Sequence, residues 1–225
     1  MNYNITYNNW LESDKLTVSE KNYLKELSRE EIEDSFYRDL EFGTGGLRGV
    51  MGLGTNRMNI YTVRRATQGL ASEILDCGAD FTEKGVVIAH DSRNNSREFA
   101  LEAANVLCAN GIKTYLFDSL RPTPELSFAV RYLGCARGIV ITASHNPKEY
   151  NGYKVYGEDG GQIPPQTADK IIKYIDGTDI FDGVKLCDEP KINIIGEEVD
   201  SAYIKAVKEQ SLGTKIPNDF KVVYT

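Results

Sequence analysis

Val86-Val87-Ile88-Ala89 is apolar at every position and β-branched at its first three. A strand with one face in water alternates apolar and polar residues, so an unbroken run like this is buried on both faces. A sheet built around it needs helices on each side, and the flanking sequence supplies them. Asn95, with Glu98 three residues on, predicts a capping box opening a helix whose buried face is Phe99, Ala103, Val106 and Leu107. Gly111 ends that helix, and Lys113 to Phe117 reads as the next strand. Thr123 then offers an N-cap with Pro124 at the first helical position, leading into Leu126 to Leu133. Gly138-Ile139-Val140-Ile141-Thr142 is a third strand. Strand, helix, strand, helix, strand with short connections predicts an α/β fold, with helices covering the sheet.

Around this centre the pattern is less regular. The first ~40 residues read as polar and helical, through Trp10-Leu11 and then Glu30 to Leu40. Phe42-Gly43-Thr44-Gly45-Gly46-Leu47-Arg48-Gly49 holds too much glycine for a helix interior. Ile60, Val63, Leu70, Ala71 and Ile74 fall on one helical face, and Cys77-Gly78 closes that helix with a glycine suited to the left-handed cap position. Beyond the third strand, Gly152 to Tyr156 reads as a strand and Gln166 to Ile175 as a helix. Asp176 to Glu197 reads mostly as connection and Val199 to Gln210 as a helix. Phe220 to Thr225 reads as an apolar strand that stops where a turn should follow.

Composition excludes several function classes. Hydrophobic residues are 41 % and charged residues 26 %, enough apolar material for a core. The net charge is −7 and there is no run of Lys or Arg, which argues against nucleic acid or anionic membrane as a partner. Cys77, Cys108, Cys135 and Cys187 form no C-x-x-C pair, and His90 and His145 are the only histidines, so a zinc site has little support. No apolar run is long enough for a membrane span, and no leader pattern opens the chain, so a cytoplasmic location is expected.

Chemistry concentrates at Thr142-Ala143-Ser144-His145-Asn146-Pro147, directly after a buried strand. The carboxyl ends of such strands are where α/β sheets place ligand sites. A plain turn is one reading, since Ser, Asn and Pro are common turn residues. A serine hydrolase is another, but the G-x-S-x-G elbow is missing, and neighbouring side chains at a strand end point apart.

This segment, followed by Tyr150-Asn151-Gly152-Tyr153-Lys154, resembles the signature of the α-D-phosphohexomutase family. Phe42 to Gly49 resembles that family's N-terminal motif, at a similar distance from the serine. Asp91-Ser92-Arg93 and Pro122-Thr123-Pro124 extend the likeness over nearly the whole chain. The helical start and Gly152 to Tyr156 are most similar to the branch holding bacterial phosphoglucomutases and phosphopentomutase-like enzymes. The resemblance implies a first domain over residues 1–197, a mixed sheet sandwiched between helices. It also implies a start of a second domain over 198–225, a linker helix and a truncated strand.

In the family the serine matching Ser144 carries a phosphoryl group at rest. Such a group brings about −1.5 to −2 charges, which only a site rich in donors and cations can hold. Arg48 offers a planar fork matched to phosphate oxygens. Its bland alternative is a surface guanidinium on a glycine turn. By resemblance Lys154 is a general acid/base or stabilises the transferring group, against the alternative of an exposed strand lysine. By resemblance His145 lines the cleft and contacts substrate or moves a proton, against the alternative of a hydrogen-bonded structural histidine. Asp91 and Arg93 are expected to brace the loops rather than touch sugar.

The resemblance further implies Mg²⁺, which Ser144 would ligate through its phosphate, and glucose 1,6-bisphosphate as activator and intermediate. The family's D-x-D-x-D-R metal loop, its sugar-reading loop and its distal phosphate loop have no match here, so the chain is expected to be an N-terminal portion that needs the remaining domains of its parent. The expected parent activity is interconversion of hexose 1-phosphate and 6-phosphate. A pentose, mannose or amino-sugar mutase, or a non-catalytic module keeping the fold, are the alternatives.

Overall fold

The computed structural model describes residues 2–213, 217 and 219–223. The polar opening forms three short helices, α1 (Tyr3–Glu12), α2 (Val18–Glu26) and α3 (Arg29–Phe36). Thr17 with Glu20 and Ser28 with Glu31 form reciprocal capping boxes, so each of the last two helices starts at a residue that satisfies its own free amides. Trp10 packs edge-on against Phe36, Tyr61 and Phe181 at 5.5, 5.3 and 5.2 Å between ring centroids, which ties these helices to the main body.

The body is β1 (Gly46–Val50), α4 (Ile60–Asp76), α5 (Ala79–Lys84), β2 (Val86–His90), α6 (Ser96–Ala109), β3 (Thr114–Phe117), α7 (Thr123–Leu133), β4 (Arg137–Ile141), β5 (Tyr150–Tyr156), α8 (Pro165–Asp176), β6 (Ile192–Ile195) and α9 (Glu197–Glu209). Among the described residues the strands form one six-stranded sheet in the order β1-β5-β4-β2-β3-β6. The β4, β2, β3 and β6 strands run parallel, and β5 is antiparallel to both its neighbours. Every residue of β2 and β4 is buried, as the apolar runs require. One face packs Ile88, Ile139 and Ile141 with Leu70, Ile74, Phe99, Leu107 and Ile171 of α4, α6 and α8. The other packs Val87, Ala89 and Val140 with Leu126 and Val130 of α7 and Val199 of α9. This is the mixed sheet between helices that the family resemblance implies, and the α/β layering that the strand and helix pattern predicts.

Several local expectations are corrected. The glycine stretch contains β1, paired with β5 so that Gly46 lies opposite Lys154 and Arg48 opposite Gly152. Glycine is required at 46 because a Cβ there would overlap the Tyr153 carbonyl oxygen. Asn95 makes no capping bond: its φ is 61°, left-handed, which turns the side chain away from the amides. The α7 cap is Pro122 rather than Thr123. Gly78 is left-handed in φ, at 98°, but α5 begins immediately after it. Residues 176–197 include β6, a four-residue edge strand in which no residue is buried. Phe220–Val223 form no strand and are exposed, having no ladder to join; Tyr224 and Thr225 lie outside the described residues.

Gly46→Ala should therefore push β1 off β5 and cost about 1–3 kcal/mol, as overpacking does. Urea unfolding measures it. An unchanged midpoint would mean that the two strands do not approach this closely.

The final helix docks through charge as well as Val199. Arg121 donates to both Asp200 oxygens at 2.7 Å and to Asp118 at 3.1 Å. Glu125, 5 % exposed, faces the same cluster, 3.9 Å from the Arg121 Nε. Burial, and then the neighbouring Asp200 carboxylate, push the Glu125 carboxyl up to about 7, while Arg121 holds Asp200 below the usual range. Between an ordinary glutamate value near 4.5 and about 7, the folded chain keeps a proton that the unfolded chain releases. Stability should thus fall as pH rises through that window, with a slope of at most about 1.4 kcal/mol per pH unit. Glu125→Gln, always neutral, should flatten the difference in urea midpoint between about pH 5 and about pH 7.5. An equal slope in both proteins would remove Glu125 as the cause.

Candidate active site

The loops that follow β2 and β4 leave the same edge of the sheet, because these strands are parallel neighbours. Ser144 sits just past β4, exposed, with φ at 57°. A left-handed non-glycine residue is uncommon and needs local support. The Ser144 N–H donates to the Thr142 Oγ1 at 3.0 Å and the Asn146 N–H to the Ala143 carbonyl at 3.1 Å, closing a tight turn.

The left-handed turn also overrides the expectation that neighbouring side chains point apart. The Ser144 Oγ and the His145 Nδ1 are 3.4 Å apart, at the long end of hydrogen bonding. Among the described residues no carboxylate bonds the other His145 nitrogen, so the orienting group of a hydrolase triad is missing.

Arg48 reaches the same loop. Leu47 and Tyr153 point into the core, and by strand alternation Arg48 and Lys154 are on the opposite face. The Arg48 Nη1 donates to the Asn146 Oδ1 at 3.1 Å, and among the described residues the rest of its exposed fork has no hydrogen-bond partner. Gly152 lies between Arg48 and Thr142, where the neighbouring backbone leaves no room for a side chain: a Cβ would be 2.6 Å from the Thr142 carbonyl oxygen. Arg48 thus looks over bare backbone toward the serine loop.

Lys154 is two residues deeper on β5, half-buried, and has no hydrogen-bond or ion-pair partner among the described residues. The structure places Ser144 against His145 and bonds Arg48 to Asn146 of the same loop. Lys154 shares their face of the sheet without touching them.

Asp91 and Arg93 brace the loop, as expected. Arg93 donates to the carbonyl oxygens of Ser144, Asn146, Pro147 and Tyr150 at 2.8, 2.6, 2.9 and 3.1 Å. The Asp91 Oδ1 accepts from the Arg93 N–H at 2.9 Å and from the Ser96 Oγ at 2.7 Å. Asn151, fully buried, donates to the Ser96 Oγ and the Asn94 carbonyl, both at 3.0 Å, and so fastens β5 to the β2 loop. Asn146 and Asn151 were missed as site residues. Their signal was two amide side chains within five residues of a nucleophile or of each other, one of them on a strand that should bury apolar groups.

Among the described residues no three His, Cys, Asp or Glu side chains gather into a metal-holding group. A cation here would draw on a Ser144 phosphate and on ligands beyond the described residues. A cavity of about 690 Å³ lined by Cys108, Lys113, Cys187 and Lys191 opens at the far edge of the sheet, before β3 and β6, away from this chemistry.

Residues 39–180 match the family described as phosphoglucomutase/phosphomannomutase, alpha/beta/alpha domain I. The chain belongs to this family. Within it, the phosphohexomutases, it is 41 % identical over 224 residues to a phosphoglucomutase of Staphylococcus epidermidis, covering 97 % of this chain and 40 % of that protein. Its fold matches a Thermus thermophilus protein described as a putative phosphomannomutase, with a TM-score of 0.65 and 31 % identity over 76 % of this chain and 36 % of that one. A Burkholderia thailandensis family protein shares the fold alone, at a TM-score of 0.58 and 24 % identity over 75 % of this chain and 35 % of that one. The chain spans about 40 % of the length of its curated phosphoglucomutase relatives and corresponds to the N-terminal portion of a phosphohexomutase. No helix among the described residues is long and apolar enough to cross a membrane.

Proposed function

We propose that Ser144 is the phosphoryl carrier of a phosphoglucomutase-type reaction interconverting hexose 1-phosphate and hexose 6-phosphate. The observation that carries this reading is Ser144 itself: exposed at a parallel strand end, left-handed, and bordered by Arg48 and His145. In the first half-reaction the bond from the Ser144 Oγ to phosphorus breaks as a sugar hydroxyl oxygen bonds to the same phosphorus. The hydroxyl proton leaves to a base, and a bisphosphosugar such as glucose 1,6-bisphosphate forms. After the sugar turns over, its other phosphoryl group returns to the Ser144 Oγ.

Arg48 faces the transferring group with the free part of its fork, neutralising charge at equatorial oxygens. His145, against the Ser144 Oγ, is placed to hold or move a proton there. Lys154, unpartnered and half-buried, supplies a second cation or base once substrate draws the site together. Mg²⁺, when held by the phosphate and by ligands beyond the described residues, would add charge neutralisation. The substrate is a sugar phosphate, and the remaining domains of a longer protein would read the sugar and the distal phosphate. Solubility and a cytoplasmic location belong to the same reading.

Phosphopeptide mapping of the protein isolated at its native length tests the proposal. Phosphate on Ser144 is expected, and its removal and return should follow added glucose 6-phosphate and glucose 1,6-bisphosphate. Stoichiometric phosphate on another serine with Ser144 bare would overturn it.

A further inference from the structure

Arg93 commits every terminal N–H to its own chain. Its two Nη atoms make four bonds to four carbonyl oxygens within residues 144–150, and its Nε lies 3.5 Å from the Asp91 Oδ2. The side chain is only 15 % exposed. No donor is left for a phosphate or a sugar, so Arg93 is not a binding residue in the way Arg48 is. Its effect must come through the backbone it gathers.

That effect has a direction. In a trans peptide the carbonyl and the following N–H point opposite ways. Where Arg93 draws the Ser144 and Pro147 carbonyls toward itself, the N–H groups of His145 and Lys148 are turned away from it. Neither N–H has an acceptor among the described residues, whereas the Ser144, Asn146 and Tyr150 amides are all bonded within the loop. Free N–H groups beside a left-handed residue form the kind of concavity that holds anions. Without the guanidinium, the Ser144 and Asn146 carbonyl oxygens could rotate outward and repel a phosphoryl group instead, and the Pro147 carbonyl would keep only its 3.0 Å bond from the Tyr150 N–H.

We propose that Arg93 is the positioning residue of the phosphoserine: by pinning four loop carbonyls inward, it holds Ser144 left-handed and presents the His145 and Lys148 amides to the group that Ser144 carries. This deepens the mutase reading and rests on it. Asp91 orients the clamp from behind, and the Asn151–Ser96 link keeps the two loops in register.

The test uses the 225-residue chain with phosphoserine incorporated at position 144, observed by amide NMR. In the wild-type background, phosphorylation should move the His145 and Lys148 amide protons downfield more than any others, the mark of a bond to phosphate. In Arg93→Lys, which keeps the charge but cannot fork to four carbonyls, that shift should vanish. Exchange of the amides of residues 145–150 should speed about tenfold or more, while the β2 and β4 amides stay protected. Asp91→Asn should produce the same changes in smaller measure, and it serves if the lysine variant does not fold.

Equal shifts with and without the Arg93 fork would overturn the clamp. So would protection lost evenly across the sheet, which marks a merely structural role. The mutase reading has its own test in native phosphopeptide mapping, so a failed clamp with phosphate on Ser144 leaves that reading standing.

Discussion

Ser144→Ala is expected to lower glucose 1-phosphate to glucose 6-phosphate turnover by about a thousandfold or more in the protein at its native length, since removing a covalent carrier deletes the chemical path itself. The same change should abolish the mass increment of one phosphoryl group in the intact protein. It should leave stability nearly untouched: the Ser144 side chain is exposed and among the described residues its one hydrogen-bond partner is His145, at 3.4 Å, so no cavity or orphaned buried group results. The combination discriminates. A loss of turnover accompanied by unfolding would assign Ser144 a structural part, and turnover kept within about tenfold of wild type would mean that the phosphoryl group travels another way.

The largest stability effect is expected far from this site. Glu73 on α4 and Arg137 at the start of β4 form an ion pair at 2.6 Å, with side chains only 3 % and 9 % exposed. Among the described residues the Glu73 Oε2 and the Arg137 Nε have no hydrogen-bond partner, and the Phe81 ring lies 5.1 Å from the guanidinium carbon. The Arg137 Nη1 also donates to the Ala136 carbonyl at 2.8 Å, but two charges withdrawn from water offset their desolvation chiefly through each other, so removing one leaves the other stranded. Glu73→Ala should cost about 3–5 kcal/mol in urea unfolding, a large share of the roughly 5–15 kcal/mol that holds a typical domain. The double variant Glu73→Leu, Arg137→Met should recover much of that loss, because an apolar pair of similar volume carries no desolvation penalty. A single variant within about 1 kcal/mol of wild type would mean that the guanidinium finds water on its own.

What was legible in the sequence follows one rule. Burial on two faces leaves a mark in composition, so β2 and β4 were visible as unbroken apolar runs, and α4 and α6 as apolar stripes. Ser144 and Arg48 stood out through the family resemblance of their two motifs, since glycines and turn residues beside a buried strand by themselves also fit a plain turn. The β1 strand was not legible, since a glycine-rich segment becomes a strand only when β5 comes close enough to fill the space of a missing Cβ. The β6 strand was hidden because it is four residues long, none of them buried, and the adjacent Ile194 and Ile195 break the alternation that a half-covered strand shows.

By itself, the sequence determined the α/β core, the order of its central elements, and the strand end at which the Ser144 turn sits. These depend on local apolar periodicity and on turn chemistry, both of which are written within short stretches of chain. Tertiary structure alone decided what Asn95 and Asn151 do and which groups Arg93 braces. Asn95 has the residue types of a cap yet turns left-handed, and Asn151 is an amide in a core strand that finds its partners on another loop. Arg93 bonds carbonyls 51 to 57 residues away. Carbonyl oxygens are present at every residue and leave no trace in the sequence, so only the fold could select the four that one guanidinium holds.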